Sequence, residues 1–229
     1  MDKLTDIQEQ ILNGHLLGDG SIGKQYKNGN AKFIIKRKTE DKQYLLWSAK
    51  HFENYLYETG LSDYENFDKR TNKTYYASTM VTRSLPVFTK YYDKWYPEDK
   101  KIVPKDLILT PLTIAVWFAD DGTFNNNTKN RVDMNFSTEG FCYQDVEFLT
   151  NQLQCMYGDK VHLTPKGKNY IIRITTTATA NLLLNEIYSL LPPMNKMSKI
   201  SQHSSINIQL KDNNFIIEPI NFYTKPSPM

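Results

Sequence analysis

Two short stretches of this sequence, far apart along the chain, share one pattern: an apolar run that ends in aspartate and glycine. The first is LNGHLLGDG, residues 12–20, and the second is IAVWFADDG, residues 114–122. Asp19-Gly20 and Asp121-Gly122 are 102 positions apart in a chain of 229 residues. A single Asp-Gly pair often ends a helix. Two such pairs in matched surroundings predict a duplicated unit.

The hydrophobic pattern of the first half predicts a helix, two strands, a helix, two strands and a final helix. Thr5 and Gln8 fit a capping box at the start of the first helix, and Gly20 fits a left-handed residue after its end. Asn28-Gly29 is a strong hairpin signal between two runs of alternating residues. The expected helices cover about residues 5–18, 40–57 and 84–95, and the expected strands cover 21–27, 31–37, 67–70 and 74–82.

The second half repeats this order. Thr110 fits the N-cap of a helix that has Pro111 in its first turn and ends at Asp121. The sequence therefore predicts two αββαββα units divided at about Lys105, as subdomains 1–105 and 106–229. The further expected elements are strands near Phe124 and at 131–136, 161–163 and 170–175, helices at 143–157 and 178–190, and short tail strands at 206–210 and 215–217.

Composition sets broad limits on the function. Hydrophobic residues make up 40% and charged residues 23% of the chain, as in globular proteins. No apolar run reaches the roughly 18 residues of a membrane span, and the N-terminus lacks the pattern of a signal peptide. Two cysteines without CxxC spacing predict a reducing compartment and no zinc site. We therefore expect an intracellular protein without a membrane partner.

The basic residues are grouped along the chain. The formal net charge is +3, but three windows hold bases and no acids: residues 20–39, 69–92 and 160–185. Solvent-exposed charge normally mixes both signs. These windows therefore favour a protein face that binds phosphate, and so a nucleic-acid partner.

The two motifs and the repeated order of elements resemble the LAGLIDADG homing endonucleases in their single-chain, two-repeat form. The resemblance covers about residues 4–200. It implies an α+β fold of two tandem αββαββα LAGLIDADG subdomains related by pseudo-two-fold symmetry. The motif helices would pack together at the centre, and two antiparallel saddle-shaped sheets would lie over the DNA major groove. It further implies a monomer that binds double-stranded DNA.

The motif helices themselves carry two packing expectations. Gly14 and Gly18 are four residues apart and share one helix face, which predicts the close approach of a second helix. The glycine of the motif is Val116 in the second copy, so close packing there is expected from Ala115 and Ala119. His15 is expected at this interface rather than in catalysis.

The last acidic position of the motif falls on Asp19 and Asp121. Carboxylates at the C-terminal ends of two adjacent helices meet the negative ends of the helix dipoles and repel each other. This arrangement favours a divalent cation, and oxygen ligands beside a phosphate suit Mg²⁺. The resemblance implies two or three ions shared by the two carboxylates, with Mn²⁺ as a substitute. Gly18 is a further candidate ligand, and Asp120 a weaker one because it points about 100° away from Asp121 around the helix.

A lysine near each motif carboxylate completes the expected catalytic set. By the resemblance, Lys101 and Lys199 occupy the active-site lysine positions, and Lys196 stays open as the alternative to Lys199. Such a lysine could stabilise the charge that develops on the phosphate or order the attacking water.

Outward positions on the strands and hairpin tips are expected to contact DNA. Arginine, asparagine and glutamine can read base edges, whereas most lysines would hold phosphates. Tyr75 and Tyr76 are expected to pack within the fold. The expected DNA-contacting residues are Lys24, Gln25, Lys27, Asn28, Lys32, Lys36, Arg70, Lys73, Asn125, Lys129, Arg131, Asn135, Lys166, Lys168 and Arg173.

The sequence thus predicts a Mg²⁺-dependent DNA endonuclease that hydrolyses phosphodiester bonds in both strands of a long, asymmetric site. The family resemblance implies short 3′ overhangs and a role in mobilising an intron or intervening sequence. Two alternatives on the same fold stay open. One is a splicing maturase that binds intron RNA, and the other is a catalytically silent DNA-binding regulator.

Overall fold

The computed structural model of the chain describes residues 3–128 and 131–193; for residues 125–128 and 131–133 it describes the backbone alone. The predicted order of elements occurs twice in this part of the chain. The helices are α1 Asp6–Leu17, α2 Lys42–His51, α3 Pro86–Trp95, α4 Pro111–Asp121, α5 Tyr143–Tyr157 and α6 Thr177–Ile187. The strands are β1 Ser21–Lys24, β2 Ala31–Lys38, β3 Leu56–Asp68, β4 Lys73–Thr82, β5 Gly122–Thr128, β6 Arg131–Phe136, β7 Val161–Lys166 and β8 Asn169–Ile174. The expected tail strands lie outside the described residues.

Each repeat forms a four-stranded antiparallel sheet with the same topology. The strand order is β1-β2-β4-β3 in the first repeat and β5-β6-β8-β7 in the second. Apolar residues on one face of each sheet, such as Phe33 and Met80 in the first and Phe136 and Ile172 in the second, are fully buried. The helices cover that face, and we call the opposite face of each sheet the open face. The predicted α+β fold of two tandem units is confirmed.

Most local signals of the sequence are confirmed. Thr5 and Gln8 form both hydrogen bonds of the capping box, and the Thr110 hydroxyl accepts the backbone N–H of Thr113 at the start of α4. The expectation for Gly20 is wrong, since it does not adopt a positive φ. Instead its N–H donates to the His15 carbonyl oxygen at 2.8 Å, and a Cβ at this position would lie 2.7 Å from the Cβ of His15.

The second helix and third strand differ from the prediction. The predicted helix extends to about residue 57, but α2 ends at His51 and β3 begins at Leu56. The register of β3 against β4 shifts between Leu56 and Leu61. Most of β3 beyond this irregularity is polar and exposed. Its side chains therefore lack the alternation that marks a strand, and pairing with β4 holds it in place.

The helices α1 and α4 cross at the centre of the molecule, and their packing differs from the expectation. A Cβ on Gly14 would lie 2.6 Å from the Cβ of Val116, and a Cβ on Gly18 would lie 2.3 Å from the Cβ of Asp120. The glycines of α1 therefore receive Val116 and Asp120 of α4. The expectation that Ala115 and Ala119 provide the close approach is wrong, because the larger Val116 fills the space that Gly14 leaves.

Two further expectations concern the chain as a whole. Within residues 3–128 and 131–193, no helix has the length and apolar character that crossing a membrane requires. Residues 96–110 connect α3 to α4, and the division of the chain at Lys105 stays a prediction.

Candidate active site

The C-terminal ends of α1 and α4 bring the motif carboxylates together. The backbone N–H of Asp19 donates to the Asp120 carboxylate at 3.2 Å, so the two motifs meet directly. The Nζ atom of Lys101 lies 3.3 Å from the Gly18 carbonyl oxygen and 3.2 Å from that of Gly20. The helix ends thus gather three carboxylates and one lysine within a single cluster, which we call the motif cluster: Asp19, Asp120, Asp121 and Lys101.

The electrostatic environment of the motif cluster disfavours the ionised form of the Asp121 side chain. Burial, reinforced by the nearby carboxylates of Asp19 and Asp120, raises the pKa of Asp121 to about 7. The positive charges of Lys101 and Arg37 oppose this rise but do not cancel it. The negative charge on Asp121 therefore lacks sufficient compensation within the described part of the chain.

This raised pKa predicts how the stability of the metal-free protein depends on pH. Because the folded protein binds a proton at Asp121 more tightly than the unfolded chain does, stability is lost as the pH rises from about 4 to about 7. We expect the melting temperature in EDTA to fall between pH 5 and pH 8, and Asp121→Asn to flatten that fall. Asp106→Asn is the control, because the pKa of Asp106 is lowered through its hydrogen bond with Lys94 and it stays charged over this range. An unchanged slope in Asp121→Asn would contradict the assignment.

Asp120 has a different environment from the two other carboxylates. Its side chain has no exposed surface, whereas half of the Asp19 side chain is exposed. Its carboxylate lies 3.0 Å from Nδ1 of His15 and accepts the hydroxyl of Tyr44 at 2.6 Å. Burial alone would raise the pKa of Asp120, but His15 and Arg37 outweigh that effect and the pKa is lowered. Because its oxygens are occupied by protein donors, the geometry argues against the expected role of Asp120 as a metal ligand.

Sequence reasoning missed Arg37, which joins two carboxylates of the motif cluster. Its Nη1 atom donates to Asp19 at 2.8 Å and its Nη2 atom donates to Asp120. The signal was present, because Arg37 follows Phe33 and Ile35 at intervals of two residues in β2 and therefore shares their buried face. An arginine on the buried face of a strand needs an acidic partner.

His15 is also part of this arrangement. It is fully buried, as expected for an interface residue, and its Nε2 atom lies 2.9 Å from the Ser48 hydroxyl. Aspartate, histidine and serine thus form a chain, but Ser48 is buried too and cannot reach a substrate. The burial of His15 and its contacts with Asp120 and Ser48 are those of an interface residue.

The predicted lysines divide into one that the structure describes and one that it does not. Lys101 belongs to the motif cluster, where burial lowers its pKa and the carboxylates of Asp121, Asp120 and Asp19 oppose that effect. Lys199 and its alternative Lys196 lie outside the described residues.

The motif cluster suits a hard cation that brings much of its own coordination shell. Among the described residues, no group of three or more His, Cys, Asp or Glu side chains is arranged to hold a metal ion. Asp19 and Asp121 offer two carboxylates. The raised pKa of Asp121 indicates an excess of negative charge at this position, which a bound cation would balance. Mg²⁺ usually takes one or two carboxylates, retains several waters and binds substrate phosphates. The donor set therefore fits Mg²⁺, with the Gly18 carbonyl as a neighbouring oxygen.

The open face of the first sheet collects some of the predicted basic residues. Lys32 and Lys36 alternate with buried residues and lie on this face, and Lys36 pairs with Thr79 of β4. Lys24 does not join them. It lies on the helix side, where its Nζ atom is 3.1 Å from Asp93 and 4.5 Å from the centre of the Tyr92 ring.

The open face of the second sheet has a different composition. Asn135 of β6 pairs with Arg173 of β8, which in turn pairs with His162 of β7. These three side chains alternate with buried neighbours and so share the open face. The two sheets therefore present unlike surfaces, one rich in lysine and the other carrying asparagine, arginine and histidine.

The remaining predicted DNA contacts lie at hairpin tips or outside the described side chains. Lys166 forms an ion pair with Glu139 at 2.5 Å. The exposed residues at or near the hairpin tips are Gln25, Lys27, Asn28, Arg70, Lys73 and Lys168. The side chains of Asn125 and Arg131, and the whole of Lys129, are not among those described.

Comparison with known proteins agrees with this architecture. The sequence profile of the LAGLIDADG DNA endonuclease family matches residues 9–182. A probable intron-encoded endonuclease from Wickerhamomyces canadensis is 31% identical over 162 residues, which are 67% of this chain and 67% of that protein. The cytochrome b mRNA maturase bI2 of Saccharomyces cerevisiae is 28% identical over 167 residues, which are 69% of this chain and 38% of the maturase.

One solved structure is similar over almost the whole chain. It is the homing endonuclease I-WcaI bound to its DNA recognition sequence, with a TM-score of 0.75 and 24% sequence identity. The similarity covers 92% of this chain and 90% of that one. At this level of identity, the similarity establishes the fold.

Proposed function

Because the chain belongs to the LAGLIDADG DNA endonuclease family, we propose that it is a site-specific endonuclease that cuts both strands of a double-stranded DNA target. The observation that carries the proposal is the pairing of Asp19 and Asp121 at the seam between two repeats. Burial and the neighbouring carboxylate of Asp19 make the ionisation of Asp121 unfavourable, and such a pair of carboxylates suits a divalent cation and a phosphate substrate. The names of its relatives, an intron-encoded endonuclease and a homing endonuclease bound to DNA, support the same activity.

In this proposal each residue of the motif cluster has one task. Asp19 and Asp121 hold the divalent cation, and the Gly18 carbonyl oxygen lies beside them. When bound, Mg²⁺ supplies Lewis-acid polarisation of the phosphate and lowers the pKa of water. Lys101, kept near the helix ends by the carbonyls of Gly18 and Gly20, stabilises the negative charge that develops on the phosphate. Lys199 takes the corresponding task in the second repeat.

The two open faces support a long, asymmetric target. Lysines of the first sheet can hold phosphates, whereas Asn135 and Arg173 of the second sheet can hydrogen bond to base edges. Unlike faces read unlike half-sites, so the target is not a palindrome. We further propose that the protein acts as a monomer and leaves short 3′ overhangs, as the family resemblance implies.

A library of duplexes with randomised sequence tests the proposed function. The protein is incubated with the library and Mg²⁺, and double-strand products are sequenced. We expect one family of long sites to be cut in Mg²⁺, with Mn²⁺ as a substitute, and no cutting in EDTA. Selective binding without cutting in either metal would favour the DNA-binding regulator instead.

A second candidate function is RNA splicing, which the similarity to a cytochrome b mRNA maturase favours. A splicing assay on the intron that surrounds the coding frame, if the gene lies in one, separates this role from endonuclease activity. A maturase should accelerate splicing of that RNA, whereas a dedicated endonuclease should leave the rate unchanged.

The β3–β4 hairpin makes the first repeat longer than the second. Beyond the buried residue Met80, seven further residue pairs join β3 to β4, whereas three join β7 to β8 beyond the matching Ile172. The four additional pairs extend the hairpin by about 14 Å, at roughly 3.4 Å per residue. That distance corresponds to about four base pairs of DNA. We therefore expect the protein to protect the DNA target from nuclease digestion over a longer stretch beside the first repeat than beside the second.

Tyr75 and Tyr76 sit in this extension and offer a matched pair for testing it. The expectation that they pack within the fold is wrong, because they are 46% and 57% exposed. As neighbours in β4 they point to opposite faces, and Tyr75 shares the open face with Ala77 and Thr79.

We expect Tyr75→Ser to weaken target binding about tenfold, the equivalent of roughly 1.4 kcal/mol, and to remove protection from the outermost base pairs on one side. Tyr76→Ser should change neither, because Tyr76 points away from the open face. The measurement is nuclease protection together with a binding titration in the absence of Mg²⁺. Equal effects of the two substitutions would exclude the open face as the contact surface of this hairpin.

A further inference from the structure

The side chain of Asp120 makes all of its described hydrogen bonds with the other repeat. Its partners are Nδ1 of His15 at 3.0 Å, the Tyr44 hydroxyl at 2.6 Å, the Asp19 backbone N–H at 3.2 Å and Nη2 of Arg37. They come from α1 and the residues after it, α2 and β2. A single buried carboxylate of the second motif thus ties together three elements of the first repeat. We call this group the Asp120 node.

The Asp120 node is linked to the exposed carboxylate of the first motif. The guanidinium of Arg37 donates to Asp120 through Nη2 and to Asp19 through Nη1, the latter at 2.8 Å. It lies over the Tyr44 ring, 4.6 Å from the ring centre, and its side chain is 9% exposed. Since both ends of the guanidinium fork are occupied and it packs against an aromatic face, Arg37 has little freedom. Asp19 is therefore held by its backbone and its side chain.

The second repeat is built differently at the matching positions. The residue that corresponds to Asp120 in the first motif is Gly18, which has no side chain. The residue that corresponds to Arg37 is Thr138, since Ile34 and Asn135 occupy equivalent places in the two sheets. The Thr138 hydroxyl donates to the Tyr170 carbonyl oxygen at 2.8 Å. Among the described residues, therefore, no arginine held by a buried carboxylate contacts Asp121 in the way that Arg37 contacts Asp19.

We propose that Asp120 is a positioning residue that orients Asp19 through Arg37, so that the two strands of the target are cut at unequal rates. The inference rests on the proposed endonuclease function and adds an asymmetry to it. Asp19 is oriented before DNA binds, whereas Asp121 reaches its working geometry during the reaction. Misplacement of a reacting group by about 1 Å can cost on the order of 10²-fold in rate. The strand that depends on Asp19 is therefore cut faster.

The test follows both strands of one duplex that carries a different label on each strand. Under single-turnover conditions with Mg²⁺, we expect wild-type protein to accumulate a product nicked in one particular strand. In Asp120→Asn, the amide nitrogen faces a group that donates a hydrogen bond, and the node is broken. We expect the faster strand to slow by at least about 10-fold and the slower strand by less than about 3-fold, so that the nicked intermediate disappears.

Asp145→Asn is the matched control, because Asp145 is also a buried carboxylate. Its carboxylate accepts one hydrogen bond from Nζ of Lys105 at 2.8 Å and another from the backbone N–H of Val103 at 3.2 Å. A loss of stability alone should slow both strands alike. An equal slowing of both strands in Asp120→Asn, or the same change of ratio in Asp145→Asn, would overturn the positioning role.

A second variant, Tyr44→Phe, tests the same inference if the Asp120→Asn protein does not fold. This change removes one hydroxyl donor of the Asp120 node and retains the ring, so we expect the same strand to slow by about 3- to 10-fold. Wild-type protein that cuts both strands equally would refute the inference and leave the proposed endonuclease function intact. Wild-type protein that cuts neither strand would refute both.

Discussion

Replacing either motif aspartate by asparagine is expected to abolish Mg²⁺-dependent cleavage. We expect Asp19→Asn and Asp121→Asn each to lower the single-turnover rate by about 10³-fold or more, since a cation contributes several kcal/mol to stabilising the transition state and about 1.4 kcal/mol corresponds to a tenfold change in rate. An amide keeps the size of the side chain but loses the negative charge that a cation needs. DNA binding should survive, because removing a negative charge beside the phosphates does not weaken their attraction to the protein.

Two measurements make this prediction specific. Asp106→Asn removes an exposed carboxylate that pairs with Lys94 at the other end of the motif helices, and it should cleave at the wild-type rate. A binding titration in EDTA should give the same affinity for wild-type and both motif variants. Cleavage that persists in the double variant Asp19→Asn Asp121→Asn would remove both residues from the catalytic assignment.

The parts of the fold that follow from short-range rules could be predicted from the sequence. A capping box joins residues three positions apart, and α5 begins and ends at Tyr143 and Tyr157 as its pattern indicates. The duplication could be predicted because the same short-range signals recur in the same order. Asp19 and Asp121 followed from the motif, since each lies at the end of a clear apolar run.

The features that the sequence did not reveal depend on contacts between distant residues. Arg37 and Asp120 are 83 positions apart, and their pairing requires the register of β2 and the crossing of α1 with α4 together. Gly14 and Val116 look like a mismatch when each motif is read alone. In the structure they are complementary, because the larger residue fills the space beside the smaller one. Only the end of β3 falls within the predicted strand 67–70, because an exposed polar segment becomes a strand through its partner β4.

The close approach of the motif helices leads to the second large effect that we predict, for Gly18→Ala. The added Cβ would lie 2.3 Å from the Cβ of Asp120 and 2.8 Å from its Oδ2 atom, so α1 and α4 must separate or the Asp120 node must break. Overpacking of this kind typically costs about 1–3 kcal/mol, which corresponds to a fall in melting temperature of about 3–10 °C for a chain of this size. We expect cleavage to fall as well, because Asp120 then no longer holds Arg37.

Two controls identify the cause of this effect. Gly23→Ala adds the same methyl group at a position where, apart from the adjacent residues of the strand, no atom of the described residues lies within 4 Å of the added Cβ, and it should leave stability within about 0.5 kcal/mol of wild type. In the Asp120→Gly background, Gly18→Ala should cost much less than in wild type, because the three nearest atoms in its way all belong to the Asp120 side chain. A double-mutant cycle by thermal unfolding measures this difference. If Gly18→Ala costs the same in both backgrounds, its effect arises within α1 and not from the seam between the two repeats.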